Sequence, residues 1–193
     1  LGILFAIPIS FFAGYALEYL VIRHLYKRDH MEQVLATFGL ILFFNEAIRV
    51  GFGPAALHSN LPASLSGFVY ILPEIPYPEF RLLVILVGFA CAIGIHLLVS
   101  RTRLGATVRA GASNAAMTAA LGVNITRLRR LVFAIGACFA GVAGMMLGPL
   151  TSVEPGMGEP LLILSLVVII IGGIGSVRGA FIAAIIVGMV DTM

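Results

Sequence analysis

The chain has 193 residues, of which 60% are hydrophobic and only 11% are charged, and its 12 basic and 9 acidic side chains give a net charge of +3. Soluble domains are typically about 45–50% apolar and about 25% charged, and disordered chains are polar and rich in charge. The composition therefore excludes both classes and indicates a membrane protein.

Four apolar runs are long enough, or nearly so, to cross a bilayer as helices, because a hydrocarbon core of about 30 Å needs roughly 20 residues. These runs are 1–22, 34–50, 82–99 and 131–150. A fifth apolar stretch, 161–190, is interrupted by glycines and predicts either a broken helix or two short helices that meet at a glycine turn. The predicted fold class is an all-α membrane protein, a polytopic transmembrane helix bundle in which 1–193 form a single domain.

The charges of the loops predict the orientation of the helices. Basic residues lie between the first and second runs and between the third and fourth: Arg23, Lys27, Arg28, Arg101, Arg103, Arg109, Arg127, Arg129 and Arg130. The other two loops carry the acidic residues Glu74, Glu79, Glu154 and Glu159. Basic loops stay in the cytoplasm, so the first and third loops are predicted to be cytoplasmic and the second and fourth to be external.

The third loop is too long to be a simple turn between two spanning helices. Its alanine content predicts a short helix over about 104–121, which Gly122 would end, and Asn124 or Thr126 would then cap the fourth run. Such an exposed helix suits docking to a partner, although a solvated basic loop explains the same composition.

Four ordered motifs resemble a known family. They are R-x-R-x-G-x-x-x-R-A at 101–110, A-A-L-G-V-N at 119–124, F-A-I-G-A-x-x-A-G-x-A-G at 133–144 and G-G-I-G-S-x-x-G-A at 172–180. In order and spacing they are similar to the permease subunits of ABC importers for branched-chain amino acids, the LivH/LivM type. Met117 and the run 119–122 favour the shorter, LivH-like subunit.

The resemblance implies a transport subunit of the bacterial inner membrane, with several partners. These would be a second permease subunit, two cytoplasmic ATP-binding subunits and an extracytoplasmic substrate-binding protein, in addition to membrane lipid. The third loop would be the coupling helix that docks on the ATPase, with Arg103, Gly105, Arg109 and Gly122 as the positions carried over. The E-A-A-x-x-x-G signature of many ABC importers is not matched. The family has further helices at both ends, so the sequence is expected to be a fragment.

Two glycine-rich features lie in the apolar runs. Gly136, Ala140 and Gly144 recur every four residues along the fourth run, which predicts a close helix-packing surface or the lining of a pathway. Gly172, Gly173, Gly175 and Ser176 form the break in the fifth stretch. The break predicts either a discontinuous helix along the transport pathway or a plain loop between two short helices.

The sequence predicts no enzyme activity, metal or cofactor. Its only lysine, Lys27, follows Tyr26, so no G-x-x-x-x-G-K-[ST] motif is present and ATP hydrolysis is assigned to a separate subunit. The alternative function is an ATP-independent secondary transporter or channel, which would need ionisable residues within its helices. Glu18 is predicted to lie within reach of Arg23, and Glu46 to pair with Arg49. Branched-chain amino acids, other amino acids, urea and amides all remain open as substrates.

Overall fold

The computed structural model describes residues 2–26, 28–55, 67–72, 75–173 and 175–192, so Lys27 and Glu74 lie outside the described residues. The elements in chain order are α1 (Gly2–Leu17), a π-helical turn (Glu18–Ile22), α2 (Arg23–Leu25), α3 (His30–Phe52), β1 (Phe68–Leu72), β2 (Ile75–Pro78), α4 (Glu79–Arg101), α5 (Arg103–Ser113), α6 (Ala115–Ala120), α7 (Ile125–Leu147), α8 (Gly158–Gly172) and α9 (Val177–Asp191). The helices form the body of the molecule, which confirms the predicted fold class.

Within these ranges, four helices are long and apolar enough to cross a membrane: Phe5–Leu25, Met31–Phe52, Glu79–Arg101 and Ile125–Leu147. The four predicted spans are therefore confirmed. The last span begins before its apolar run, because α7 starts at Ile125, directly after the predicted cap Asn124, and includes the arginines that precede Leu131. The later helices α8 and α9 have 15 residues each, about 22 Å of helix, which is shorter than the hydrocarbon core.

A short antiparallel hairpin precedes α4, in the loop predicted to be external. Strand β1 pairs with β2 in a register that places Val69 opposite Tyr77 and Phe68 opposite Pro78. This hairpin was not among the predicted elements. Its first strand is made of β-branched and aromatic residues with one leucine, and a two-stranded ribbon leaves free edges at which proline is tolerated.

Helices α1 and α7 pack against each other in antiparallel fashion and form the centre of the described bundle. A Cβ atom added at Gly14 would collide with the Cβ atom of Ala137, and one added at Gly141 would collide with the hydroxyl of Ser10. These small residues let the two backbones approach closely, which is how helices associate in lipid, where apolar surface is already solvated.

The segment of the third loop predicted as one helix over 104–121 is two helices, so that prediction was wrong. Asn114 has an extended backbone (φ −153°, ψ 97°), and its side chain accepts a hydrogen bond of 2.9 Å from the backbone N–H of Met117, which makes it the N-cap of α6. Gly122 ends α6 as predicted, with a φ of 87°. Asn124, one of the two predicted caps, accepts a hydrogen bond of 3.1 Å from the backbone N–H of Arg127 at the start of α7.

Candidate functional site

The tight reversal between α4 and α5 depends on Gly105. This glycine is buried, and its N–H donates to the side-chain oxygen of Thr102, the N-cap of α5, at 3.1 Å. A Cβ atom at this position would lie 2.5 Å from the carbonyl oxygen of Leu98 and closer still to that of Val99. Since both oxygens belong to the backbone of α4, a side chain here would force the two helices apart.

Arg109 links the same two helices through its side chain. Its guanidinium Nη1 donates a hydrogen bond to the carbonyl oxygen of Val99, in the last turn of α4. Carbonyls in the last turn of a helix lack intrahelical donors, so this contact caps α4. Arg103, in the first turn of α5, is exposed, as is Arg109. The two arginines carried over from the family therefore differ in the contact that Arg109 makes with α4, not in their exposure.

Helix α5 also rests on the first turns of α7. A Cβ atom at Gly111 would meet Cδ2 of Leu128 at 3.2 Å and Cδ1 of Ile125 at 3.8 Å. The segment from Arg101 to Val153 contains no acidic residue. The α5–α6 unit is thus a basic surface that is attached to both α4 and α7.

A buried charged cluster lies beside this unit, and the ion pair at its centre differs from the predicted one. Glu18 is fully buried, and its Oε2 accepts a hydrogen bond of 2.9 Å from Nε of Arg130, not from Arg23 as predicted. Arg23 instead lies 5.9 Å from the ring centroid of Tyr19. Among the residues that the structure describes, the second carboxylate oxygen of Glu18 has no hydrogen-bond partner.

Tyrosines surround the arginines of this cluster. The guanidinium of Arg130 lies over the rings of Tyr15 and Tyr19, at 5.1 and 4.9 Å from their centroids, and that of Arg129 lies 4.8 Å from the centroid of Tyr26. Burial, and then the charge of Glu18, raise the pKa of the Tyr26 phenol above its usual value, and the charge of Arg129 opposes this. The signal for this cluster was an ionisable residue within an apolar run.

Glu18 lies in the π-helical turn that joins α1 to α2. Such turns are rare and frequently mark functional positions. Here the turn, the ion pair and the tyrosines connect the predicted cytoplasmic end of α1 to the first turns of α7.

The stripe formed by Gly136, Ala140 and Gly144 is not in close contact with α1 in the described part of the chain. Among the described residues, Cβ atoms added at Gly136 and Gly144 would meet nothing within 4 Å, and Ala140 is exposed. In the described part of the chain, the close contact with α1 is made instead by Ala137 and Gly141.

The break in the C-terminal segment is a glycine turn between two short helices, one of the two structures predicted for it. Gly173 and Gly175 have φ values of 84° and 92°, which are unfavourable for any residue with a Cβ atom. Ser176 caps α9 by accepting a hydrogen bond of 3.0 Å from the N–H of Gly179. A Cβ atom at Gly172 would lie 2.5 Å from the backbone nitrogen of Ala180, so α8 and α9 meet backbone to backbone.

Two polar contacts lie at the predicted external ends of α3 and α8. Glu46 and Arg49 form the predicted intrahelical ion pair, at 3.7 Å. Nδ2 of Asn45 donates a hydrogen bond of 2.7 Å to Oε1 of Glu159, a contact between two helices that the sequence did not predict.

Comparison with curated proteins gives relatives with consistent descriptions. The chain is 30% identical over 183 residues to the high-affinity branched-chain amino acid transport system permease protein BraD of Pseudomonas aeruginosa, covering 92% of this chain and 59% of BraD. It is 25% identical over 197 residues to the LivH protein of Escherichia coli, covering 100% of this chain and 63% of LivH. A probable LivH protein of Methanocaldococcus jannaschii is 27% identical over 203 residues, with 97% and 62% covered. No solved structure is significantly similar to the chain.

The chain therefore spans about three-fifths of the length of these relatives. The predicted LivH-like resemblance is confirmed by them, and the apolar helices make the protein a multi-pass membrane protein. The family described as the permease component of branched-chain amino acid transport systems matches residues 1–193. This chain belongs to the branched-chain amino acid transport permease family.

Proposed function

We propose that the full protein is a membrane-spanning permease subunit of an ATP-driven ABC importer that carries branched-chain amino acids, or related small amino acids or amides, across the cytoplasmic membrane. The descriptions of its relatives support this function. The structural observation that carries it is the basic α5–α6 unit, which is fixed to α4 through Gly105 and Arg109 and rests on α7 through Gly111. A partner that pushes on this unit would move two spanning helices together.

The roles within the coupling unit follow from its geometry. Arg103 offers an exposed positive charge to the ATP-binding subunit. Gly105 and Arg109 keep α5 rigid against α4, and Gly122 sets the direction in which the chain enters α7. The permease performs no covalent chemistry, and its work is alternating access driven by ATP hydrolysis in another subunit.

Two glycine-rich features of the membrane-spanning region are proposed to have roles in assembly or transport. The uncovered stripe of Gly136, Ala140 and Gly144 is proposed to pack against another helix of the assembly or to line the pathway. The turn at Gly172, Gly173, Gly175 and Ser176 is proposed as a fixed corner between α8 and α9 beside that pathway. Two of its glycines adopt φ values that other residues disfavour, which supports a turn with one defined conformation.

The partners proposed are a second permease subunit, two cytoplasmic ATP-binding subunits and an extracytoplasmic substrate-binding protein. Basic loops on one side and acidic loops on the other support placement in the inner membrane with α5 and α6 in the cytoplasm. The α4–α5 reversal and the start of α7 lie at the same end of the molecule, which is consistent with this orientation.

One observation favours a second candidate, an ATP-independent transporter. Glu18 is a fully buried carboxylate within a span and has one oxygen free of hydrogen bonds among the described residues, as a cation-coupled carrier would require. Its other oxygen, however, is held by Arg130. A carboxylate already neutralised in this way is a poor ion carrier, so the importer is preferred.

The test is purification of the tagged full-length protein from its host membrane in mild detergent, with partners identified by mass spectrometry. We expect a P-loop ATPase and a second permease to co-purify. Recovery of the protein alone, under conditions in which a known ABC complex remains intact, would contradict the importer. Uptake into proteoliposomes without ATP would then support the second candidate.

A further inference from the structure

A polar cavity of about 640 Å³ lies between α3 and the start of α8, at the predicted external side. Its polar lining consists of Asn45, Glu46, Arg49, Glu154 and Glu159. Apolar side chains complete it, among them Met157, Pro160 and Ile163. Cavities that bind small molecules commonly have volumes of about 300–1,000 Å³ and combine apolar walls with a few convergent polar groups.

The hydrogen bond between Asn45 and Glu159 joins the two helices that line the cavity. Glu159 is in the first turn of α8, and its 2.7 Å contact with Asn45 of α3 links positions 114 residues apart in the sequence. The contact holds the exposed carboxylate of Glu159 on the cavity wall, at the predicted external ends of both helices.

The charges in the cavity have both signs. Helix α3 contributes Arg49, the segment leading into α8 contributes Glu154, and the first turn of α8 contributes Glu159. The ion pair of Arg49 with Glu46 is long, at 3.7 Å, and both side chains are largely exposed, at 60% and 64%. Such an exposed pair is weak, so the guanidinium can exchange Glu46 for a ligand carboxylate at little energetic cost.

We propose that this cavity binds the zwitterion of an α-amino acid with an aliphatic side chain before it enters the pathway. Arg49 takes the carboxylate, Glu159 with Glu154 takes the ammonium group, and the wall from Met157 to Ile163 contacts the aliphatic side chain. This inference rests on the proposed import function and adds to it the permease's own recognition site.

The test uses the full-length protein, purified with the second permease and the ATP-binding subunits but without the substrate-binding protein, and free of nucleotide. Binding of three ligands is measured by isothermal calorimetry and by ligand-induced thermal stabilisation. L-leucine carries both charges, L-leucinamide lacks the carboxylate, and 4-methylpentanoate lacks the ammonium group. For the wild type we expect leucine to bind at least about tenfold more tightly than either analogue, as the loss of one charge-assisted contact implies.

The variants separate the two ends of the ligand. Arg49→Gln should weaken leucine binding about tenfold and abolish the preference over leucinamide, while Glu159→Gln should abolish the preference over 4-methylpentanoate. Gln can still accept the hydrogen bond from Asn45, so the second variant preserves the α3–α8 contact. Arg81→Gln, an exposed arginine at the same predicted side but outside the cavity, and Glu32→Gln, an exposed acid elsewhere, are the matched controls.

Two results would overturn the proposal, and they are distinguishable from failure of the import function. Leucine binding and selectivity equal to wild type in both cavity variants would overturn it, as would equal losses in the control variants. If the wild-type complex with its binding protein still imports leucine in an ATP-dependent way, the import function stands and only the cavity assignment fails. If the wild type imports no amino acid at all, the proposed function itself fails.

Discussion

Nε of Arg130 donates a hydrogen bond of 2.9 Å to Oε2 of Glu18, and the two residues are 112 positions apart in the sequence. The carboxylate is fully buried and the arginine side chain is 14% exposed. The pair joins the π-helical turn after α1 to the first turns of α7, next to the α5–α6 unit. Buried pairs of this kind can add little net stability, yet loss of one partner leaves an uncompensated charge.

This contrast predicts the effect of removing one or both partners. Arg130→Ala should lower the melting temperature of the detergent-solubilised full-length protein by several degrees, because Glu18 would remain buried without a counter-charge. The double substitution of Glu18→Leu with Arg130→Leu should recover most of the loss. Arg28→Ala is the control, since its 3.5 Å pair with Glu32 is exposed and such pairs contribute little. A double variant that melts as low as Arg130→Ala would contradict this account.

The ion pair also shows which features of the fold a single sequence reveals and which it does not. The charge within the first apolar run was visible, but its partner was assigned to Arg23, the nearest arginine in sequence, because sequence distance was the only guide available. Helix packing brings Arg130 closer. In the same way, the number of spans followed from apolar length, whereas the fourth span began earlier than its apolar run because α7 includes its arginines.

The small residues of α7 show a second limit, because their spacing does not determine which of them contact α1. Helix α7 carries them in two overlapping sets, one with Gly136, Ala140 and Gly144 and the other with Ala137 and Gly141. Periodicity identifies both sets equally and does not say which one meets α1. The split of 104–121 was in principle readable, since Asn114 is a favourable N-cap residue in the middle of the alanine-rich stretch.

Gly105 and Gly111 lie on the same helix and predict opposite outcomes for the same substitution. Gly105→Ala introduces a Cβ atom against two backbone carbonyls of α4 and should destabilise the protein by about 1–3 kcal/mol, as overpacking does. Gly111→Ala meets only side-chain atoms of Leu128 and Ile125, so its gain in helix propensity should offset the contact. Thermal melting and ATP-dependent uptake of both variants check this prediction. A Gly105→Ala variant as stable and active as the wild type would show that the α4–α5 reversal tolerates a side chain.

A second glycine comparison tests the corner between α8 and α9. Gly179→Ala would place a Cβ atom against the carbonyl oxygen of Gly172, whereas Gly188→Ala in the same helix would meet none of the described residues within 4 Å. We expect the first variant to lose folded protein and uptake, and the second to retain both. The measurement is the yield of monodisperse protein in size-exclusion chromatography together with uptake. A fully active Gly179→Ala variant would mean that the two helix ends can separate without consequence.

Substitutions at Gly141 and Gly144, two small residues of α7, are predicted to cause different defects. Gly141→Leu should disrupt packing within the chain, because its side chain would collide with Ser10 of α1, and should lower the melting temperature of the isolated permease. Gly144→Leu meets no atom of the described chain within 4 Å of its Cβ, so the permease alone should melt as the wild type does. If the stripe packs against another helix of the assembly, Gly144→Leu should instead reduce recovery of the complete complex. Normal recovery and activity of that complex would show that the stripe is not a packing surface in the assembly.

The two arginines of α5 separate docking from internal structure. Arg103 is exposed, so Arg103→Glu should abolish co-purification of the ATP-binding subunit while leaving membrane insertion and melting temperature unchanged. Arg109→Glu should also weaken docking, but it removes the donor to the Val99 carbonyl and should therefore lower the melting temperature as well. Arg109→Lys, which retains a charge, should restore docking more fully than it restores stability, since an ammonium group does not reproduce the guanidinium geometry. Co-purification and thermal melting measured on the same preparations distinguish these effects. Unchanged docking in Arg103→Glu would contradict the assignment of α5 as the coupling helix.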